Sequence, residues 1–160
     1  MNTVTHFRNS VIMPVLVKMG AGGAAAEELL LGTAIQESFC FKYRAQMGGG
    51  PAISYYQMEP ATHNDIWDNF LKYRKKIAND AMYFMSSKNA NKLDELKNNN
   101  KYATAMARIH YMRIASPLPK AGDLSAQANY WKKHYNTPLG KGHPHEYIQK
   151  WNKFVLGVKP

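Results

Sequence analysis

The sequence predicts a mainly α-helical fold of about five to seven helices with little or no sheet. Apolar residues recur at spacings of three and four in several segments, which is the period of one helix face. Glycine, proline and capping side chains separate these segments. The chain has 160 residues, 45% hydrophobic and 20% charged, which is typical of one domain with its own core. We therefore predict a single domain over residues 1–160, in which a segment of residues 1–23 precedes a core unit of residues 24–154.

The first predicted element is a short helix from Asn9 to Met19, which Gly20–Gly23 ends. Part of it, Val11–Val17, is apolar enough to suggest a signal peptide. Pro14 and Lys18 interrupt that stretch, so we interpret it as a folded helix and find no clear signal. No apolar run reaches the roughly 18 residues that a membrane span needs.

The strongest predicted helix runs from Ala24 to Phe39. Four of its residues recur at the spacing of one helix face: Leu30, Thr33, Ala34 and Glu37. Gly48–Pro51 then opens an irregular loop that extends to about Pro60. Within it, Ile53–Tyr56 is too short to predict as a strand.

The next helix begins after Pro60, because Thr62 with Asp65 three residues later matches a helix-capping pattern. Its apolar positions continue to about Met85: Ile66, Trp67, Phe70, Ile77 and Ala81. The polar stretch Lys88–Asn100 contains one short turn of helix near Leu93 and Leu96.

Another helix extends from Tyr102 to Ile114 and ends at Pro117–Pro119. Asp123 or Ser125 caps a further helix that reaches His134. A loop that contains Gly140 and Gly142 follows. A last helix then begins with Pro144 in its first turn and runs through Phe154.

The formal net charge is +10, which favours polyanionic partners but carries no information about the fold. Nucleic acid, anionic lipid and the acidic polymers of a bacterial envelope all fit. The densest basic clusters, Lys72–Lys76 and Lys132–His134, are short, and no nucleic-acid motif is present. We therefore do not predict nucleic acid as the partner. The histidines match no common metal-site spacing, so the sequence implies neither a metal nor a cofactor.

Glu37 is the candidate catalytic acid, in the segment GTAIQESF that ends the second predicted helix. Its spacing places it near the buried face, where loss of hydration raises a carboxyl pKa. The partial negative charge of the helix C-terminus acts in the same direction. A raised pKa suits a general acid that works near neutral pH. The alternative is a glutamate at the edge of the buried face that reaches water.

Two later segments combine aromatic and amide side chains with glycine: GGGPAISYYQMEPATH, from Gly48 to His63, and YWKKHYNTPLGKG, from Tyr130 to Gly142. Aromatic rings stack on sugar rings, and amides both donate and accept hydrogen bonds. Such groups suit a sugar-binding cleft. The alternative is that the first segment is a tight connection whose tyrosines pack in the core, and that the second is a helix end followed by a linker. Cys40, beside the proposed site, is interpreted as a packed or inert thiol.

Taken together, these segments resemble the lysozyme-like superfamily, most closely its soluble lytic transglycosylase type and their bacteriophage relatives. Glu37-Ser38-Phe39 resembles the helix end that carries the family's catalytic glutamate. Gln57–Thr62 keeps the Gln, Pro and Thr of the pattern Gly-Leu-Met-Gln-x-x-Pro-x-Thr. Tyr135-Asn136 before Gly140 resembles a later motif. In a departure from the family, Ser54 replaces the loop glycine and two tyrosines replace Leu-Met.

The resemblance implies cleavage of peptidoglycan between N-acetylmuramic acid and N-acetylglucosamine, as a lytic transglycosylase or a muramidase. It also implies a fold that brings both later segments together, so we predict that they line one cleft with Glu37 at its floor. Glu37 would be the catalytic acid, and Glu59 is a possible second carboxylate. Gln57 would bind the sugar near its acetamido group, and Tyr56 would stack on a sugar. The implied substrate-binding residues are Gln57, Tyr56, Tyr135, Asn136 and Ser54, without a metal.

Phage relatives imply that the protein resides in a virion tail or baseplate, or acts in the host periplasm or cell wall after delivery. Its partners would be peptidoglycan strands and possible tail or baseplate proteins. Two alternatives remain open. One is a structural virion protein that keeps the lysozyme fold without cutting glycan, and the other is a basic nucleic-acid-binding module.

Overall fold

The computed structural model describes residues 2–136 and 140–158. This part of the chain is mainly helical, which confirms the predicted fold class. β-Pairing occurs in it only as isolated antiparallel bridges, between Ala45 and Ile53 and between Ile53 and Met58. None of the helices within the described ranges is long and apolar enough to cross a membrane.

The α-helices, in chain order, are α1 (Thr3–Phe7), α2 (Met13–Met19), α3 (Ala24–Ser38), α4 (Pro60–Asn69), α5 (Lys75–Tyr83), α6 (Lys92–Asn98), α7 (Asn100–Met112), α8 (Leu124–Trp131) and α9 (Pro144–Phe154). Two π-helical segments continue neighbouring helices. Arg8–Ile12 joins α1 to α2, and Lys132–Asn136 extends α8. The first helical stretch therefore begins at Thr3, earlier than the predicted Asn9.

Local sequence explains most of the helix ends. Gly20 takes a left-handed conformation with φ of 65° and ends α2, as glycine commonly does. Asn91, Asn99 and Asp123 accept hydrogen bonds from backbone N–H groups in the first turns of α6, α7 and α8. Asp123, not Ser125, is thus the cap of α8.

The single helix predicted from Thr62 to Met85 is wrong. Helix α4 begins at Pro60, whose fixed φ suits a first helical position, and Thr62 lies inside its first turn. Phe70 leaves the helical region with φ of −127°, and a 3-10 turn at Leu71–Tyr73 separates α4 from α5. The apolar pattern continued across this break because both helices bury one side against α7.

Helix α3 lies at the centre of the core and packs against α7, α8 and α9. Its own side chains are buried on most sides of the helix, among them Leu29, Leu31 and Ile35. It contacts α9 closely at Gly32, where a Cβ atom would overlap the Tyr147 side chain. A glycine is therefore required in mid-helix, despite its poor helix propensity. This packing fixes the C-terminal end of α3, which carries Glu37.

Candidate active site

One cleft of about 730 Å³ collects residues from the three segments that the sequence singled out. It is lined by Glu37 at the end of α3, by Gln57 and Glu59 before α4, and by Tyr135 and Asn136 after α8. Gly140 and Gly142 lie in the same wall. Residues 137–139 of the third segment lie outside the described part of the chain. Segments far apart in sequence therefore meet around one carboxyl group.

Glu37 is partly buried and accepts a hydrogen bond at Oε1 from Trp131 Nε1, at 3.0 Å. Burial raises the pKa of Glu37 from 4.5 to about 7, because a carboxylate loses hydration there. The Trp131 N–H and the Lys150 ammonium group oppose this shift, since both stabilise the charged form. Near neutral pH, Glu37 can therefore both give up and take up a proton.

The bond from Trp131 also favours one position for the proton of Glu37. An indole nitrogen can only donate, and the carbonyl oxygen of a protonated carboxyl group accepts better than its hydroxyl oxygen. When Glu37 is protonated, its proton is therefore favoured on Oε2. This arrangement leaves Oε2 as the oxygen available to transfer a proton to a ligand in the cleft.

Ser38 holds an unusual turn directly after Glu37. Phe39, Cys40 and Phe41 all take left-handed conformations, with φ of 55°, 54° and 66°, which costs roughly 1–2 kcal/mol for each non-glycine residue. The buried Ser38 hydroxyl donates to Ala34 O at 2.6 Å and accepts from Phe41 N–H at 2.6 Å. These bonds offset part of the strain and end α3 abruptly beyond the carboxyl group.

Cys40, in that turn, is half-buried and does not line the cleft. Burial raises the pKa of its thiol. A protonated thiol is a poor nucleophile, so this arrangement agrees with the interpretation of Cys40 as an inert residue.

The second segment places Gln57 in the cleft but turns its neighbours inward. Ser54 has φ of 72°, is buried, and accepts a hydrogen bond from Tyr56 N–H at its Oγ atom. The Tyr56 ring is also buried, and its hydroxyl lies 2.9 Å from Thr104 Oγ1. The expected sugar stacking by Tyr56 and substrate binding by the Ser54 side chain are therefore wrong. The left-handed turn at Ser54 directs both side chains into the core.

Tyr135 joins the third segment to the second. Its hydroxyl donates to the Tyr56 carbonyl oxygen at 2.6 Å. Its ring packs against His110 and Tyr111, with ring centroids 5.0 and 5.4 Å away. Tyr135 thus positions the loop that carries Gln57, and it does so through the backbone.

Asn136 is held by Lys132 of its own π-helical segment, and Lys132 also binds the glycine loop, which contains Gly140 and Gly142. Its Oδ1 atom accepts from Lys132 Nζ at 2.8 Å, and the same ammonium group donates to Gly140 O at 2.8 Å. A Cβ atom at Gly142 would lie 2.5 Å from the Trp131 ring. The glycine loop can therefore approach Trp131, the hydrogen-bond donor to Glu37, only because Gly142 has no side chain.

Glu59 lies in the cleft lining, exposed, as the residue before the first turn of α4. Its exposure contrasts with the partial burial of Glu37, so the two carboxyl groups have different environments. Among the described residues, no group of three His, Cys, Asp or Glu side chains is placed to hold a metal ion.

Sequence reasoning did not identify the residues that set the chemistry of Glu37. Trp131 lies 94 positions away along the chain. Lys150 donates to Gln36 Oε1 at 2.9 Å and lies close enough to stabilise the Glu37 carboxylate. His110 lines the cleft and contacts Tyr135. No local spacing could indicate these pairs, because each joins different helices or loops.

No protein-family model, no curated protein and no solved structure matches this chain.

Proposed function

We propose that this protein cleaves peptidoglycan glycan strands between N-acetylmuramic acid and N-acetylglucosamine, with Glu37 as the general acid. One observation carries the proposal: a carboxyl group with its pKa raised to about 7 lies in an open cleft among amide and aromatic groups. A general acid works best when its pKa is near the working pH. The motif resemblance supplies the substrate class.

In the first step, Glu37 Oε2 donates its proton to the glycosidic oxygen as the bond to the anomeric carbon breaks. The substrate's acetamido group stabilises the positive charge at that carbon. The Trp131 N–H and the Lys150 ammonium group stabilise the carboxylate that remains on Glu37. These two groups therefore favour the product of proton transfer without holding Glu37 ionised beforehand.

In the second step, the Glu37 carboxylate takes a proton from the attacking oxygen. If the sugar's own 6-hydroxyl attacks, an anhydro ring forms, as in a lytic transglycosylase. If water attacks, the product is that of a muramidase. Neither route requires a second carboxylate, and Gln57 and Asn136 provide amide groups along the cleft for the sugar substituents.

The test compares the wild-type protein with Glu37→Gln on purified peptidoglycan, in a zymogram and with dye-labelled sacculi. Gln keeps the shape and the acceptor for Trp131 but cannot deliver the proton. We expect a loss of about 10²–10⁴-fold in rate. Glu59→Gln is the matched control, because it removes an exposed carboxylate from the same cleft, and it should retain most of the activity.

Mass spectrometry of the released muropeptides distinguishes the two routes, because anhydro and reducing-end products differ by one water. Equal rates for Glu37→Gln and wild type would contradict the assignment of Glu37. Binding to sacculi without any cleavage by the wild-type protein would instead support a structural glycan-binding role.

A further inference from the structure

A second cleft, of about 700 Å³, lies on another side of α4 and is separate from the one that contains Glu37. Its lining includes Asn64 and Trp67 of α4, Lys72 of the following 3-10 turn and Lys92 of α6. None of these residues lines the first cleft. The proposed cleavage reaction gives them no role.

A chain of hydrogen bonds with one possible direction leads into this cleft. Trp67 Nε1 donates to Tyr102 Oη at 3.0 Å. The Tyr102 hydroxyl lies 2.8 Å from His63 Nε2, and His63 Nδ1 lies 3.0 Å from Asn64 Oδ1. Asn64 Oδ1 can only accept, so His63 donates from Nδ1. A neutral His63 ring then accepts at Nε2, so the Tyr102 hydroxyl donates its proton there while its oxygen accepts from Trp67.

In this chain of hydrogen bonds Asn64 uses its amide oxygen for the bond to His63. Its Nδ2 group, with two N–H donors, takes no part in that bond, and Asn64 is an exposed residue that lines the cleft. Burial of His63, which is 1% exposed, lowers the pKa of its imidazole and so keeps the ring neutral, as the chain requires. The fixed network thus presents a donor, not an acceptor, to a ligand.

The charges in the cleft favour the same kind of ligand. Lys72 and Lys92 contribute two ammonium groups, against the single carboxylate of Asp68. Within the described residues, neither lysine has a carboxylate at ion-pair distance. Lys92 Nζ lies 4.9 Å from the centroid of the Trp67 ring, a cation–π contact that restrains the ammonium group beside the cleft.

We propose that this second cleft binds a sugar that carries a carboxylate or phosphate group. The Asn64 Nδ2 donors and the ammonium groups of Lys72 and Lys92 hold the anion, because hydrogen bonds to a charged acceptor are the strong ones. The partly exposed Trp67 ring packs against the sugar. The site is independent of Glu37, so it would bind its ligand even in a protein that cuts no glycan.

The test is a titration of the wild-type protein at low salt, followed by NMR signals of the Trp67 indole and the Asn64 side-chain amide. Trp67→Phe assigns the indole signal. The probes are glucuronate, glucose 6-phosphate and glucose, and the first two separate a preference for carboxylate from one for phosphate. We expect saturable shifts of both signals with at least one anionic sugar, and none with glucose.

Asn64→Asp is the decisive variant. Asp keeps the acceptor for His63 but replaces the N–H donors by a charged oxygen that repels anions. We expect affinity to fall at least about tenfold. Asn129→Asp makes the same charge change at an exposed position of α8 outside this cleft and should leave affinity unchanged.

A second pair of variants tests the lysines. Lys72→Ala with Lys92→Ala should abolish the shifts, whereas Lys101→Ala with Lys120→Ala removes the same charge from exposed positions elsewhere and should retain them. Equal binding of glucose and the anionic sugars, no saturable shift with either anion, or full affinity in Asn64→Asp would each overturn the proposal.

Discussion

The raised pKa of Glu37 makes a prediction about stability that does not depend on any substrate. Below pH 4.5, Glu37 is protonated in both the folded and the unfolded chain. Between pH 4.5 and about 7, only the unfolded chain loses this proton, so rising pH stabilises the unfolded state. Above pH 7 the folded protein carries a partly buried carboxylate and the full penalty is present.

The size of this penalty follows from the two pKa values. The difference between 4.5 and about 7 corresponds to about 3 kcal/mol. Glu37→Gln removes the titration while keeping the acceptor for Trp131. Relative to wild type, the variant should therefore gain about 3 kcal/mol between pH 4 and pH 8, or roughly 6–12 °C in Tm for a chain of this length.

The assay is urea and thermal unfolding of wild type and Glu37→Gln at several pH values from 4 to 8. All other carboxyl groups are common to both proteins, so the difference between them isolates Glu37. Glu59→Gln, at an exposed position in the same cleft, should show no comparable trend with pH. A stability difference for Glu37→Gln that is constant over this range, or that shrinks as pH rises, would refute the reasoning.

Three further predictions concern the surroundings of Glu37. Trp131→Phe removes a donor that stabilises the Glu37 carboxylate, so the pKa of Glu37 should rise further. The alkaline limb of the pH–rate profile, near pH 7 in wild type, should therefore move to higher pH. A shift of this limb to lower pH would contradict the prediction. Tyr135→Phe leaves the buried Tyr56 carbonyl without its donor and should lower the free energy of unfolding by about 1–3 kcal/mol in urea titrations, whereas the exposed Tyr43→Phe should not. In Gly142→Ala the added Cβ atom would collide with the Trp131 ring, so this variant should cleave glycan more slowly and show altered tryptophan fluorescence. Gly22→Ala is the control, because its Cβ atom would lie at an ordinary 3.7 Å from Leu16. It should change neither glycan cleavage nor fluorescence.

Helix positions could be predicted well where the signal is local. The spacing of three and four residues in the sequence predicts an apolar face of α7 at Tyr102, Met106, Ile109 and Met112. The first three are buried, and Met112 is partly exposed. The prediction failed at Phe70, where apolar spacing continues although the helix ends. Periodicity reports which side of a segment faces the core, and two consecutive helices that face the same core look like one.

The placement of side chains near the cleft could likewise be predicted only in part from the sequence. The segment around Gln57 could be recognised as a glycine-rich loop with aromatic residues, but the sequence does not tell which tyrosine points inward. The left-handed backbone at Ser54 and Gln57 decides that Tyr56 is buried. A non-glycine residue adopts this conformation only when tertiary contacts stabilise it.

By itself, the sequence determined the mainly helical class, which depends on spacing, capping and composition acting over a few residues. The motif resemblance, not spacing, singled out Glu37 and the segments that supply the cleft. Only the tertiary structure decided the chemistry of Glu37, because its pKa depends on burial and on Trp131 and Lys150 from α8 and α9. It alone also revealed the second cleft, since a hydrogen-bond chain from Trp67 through Tyr102 to Asn64 exists only once α4 and α7 have packed together.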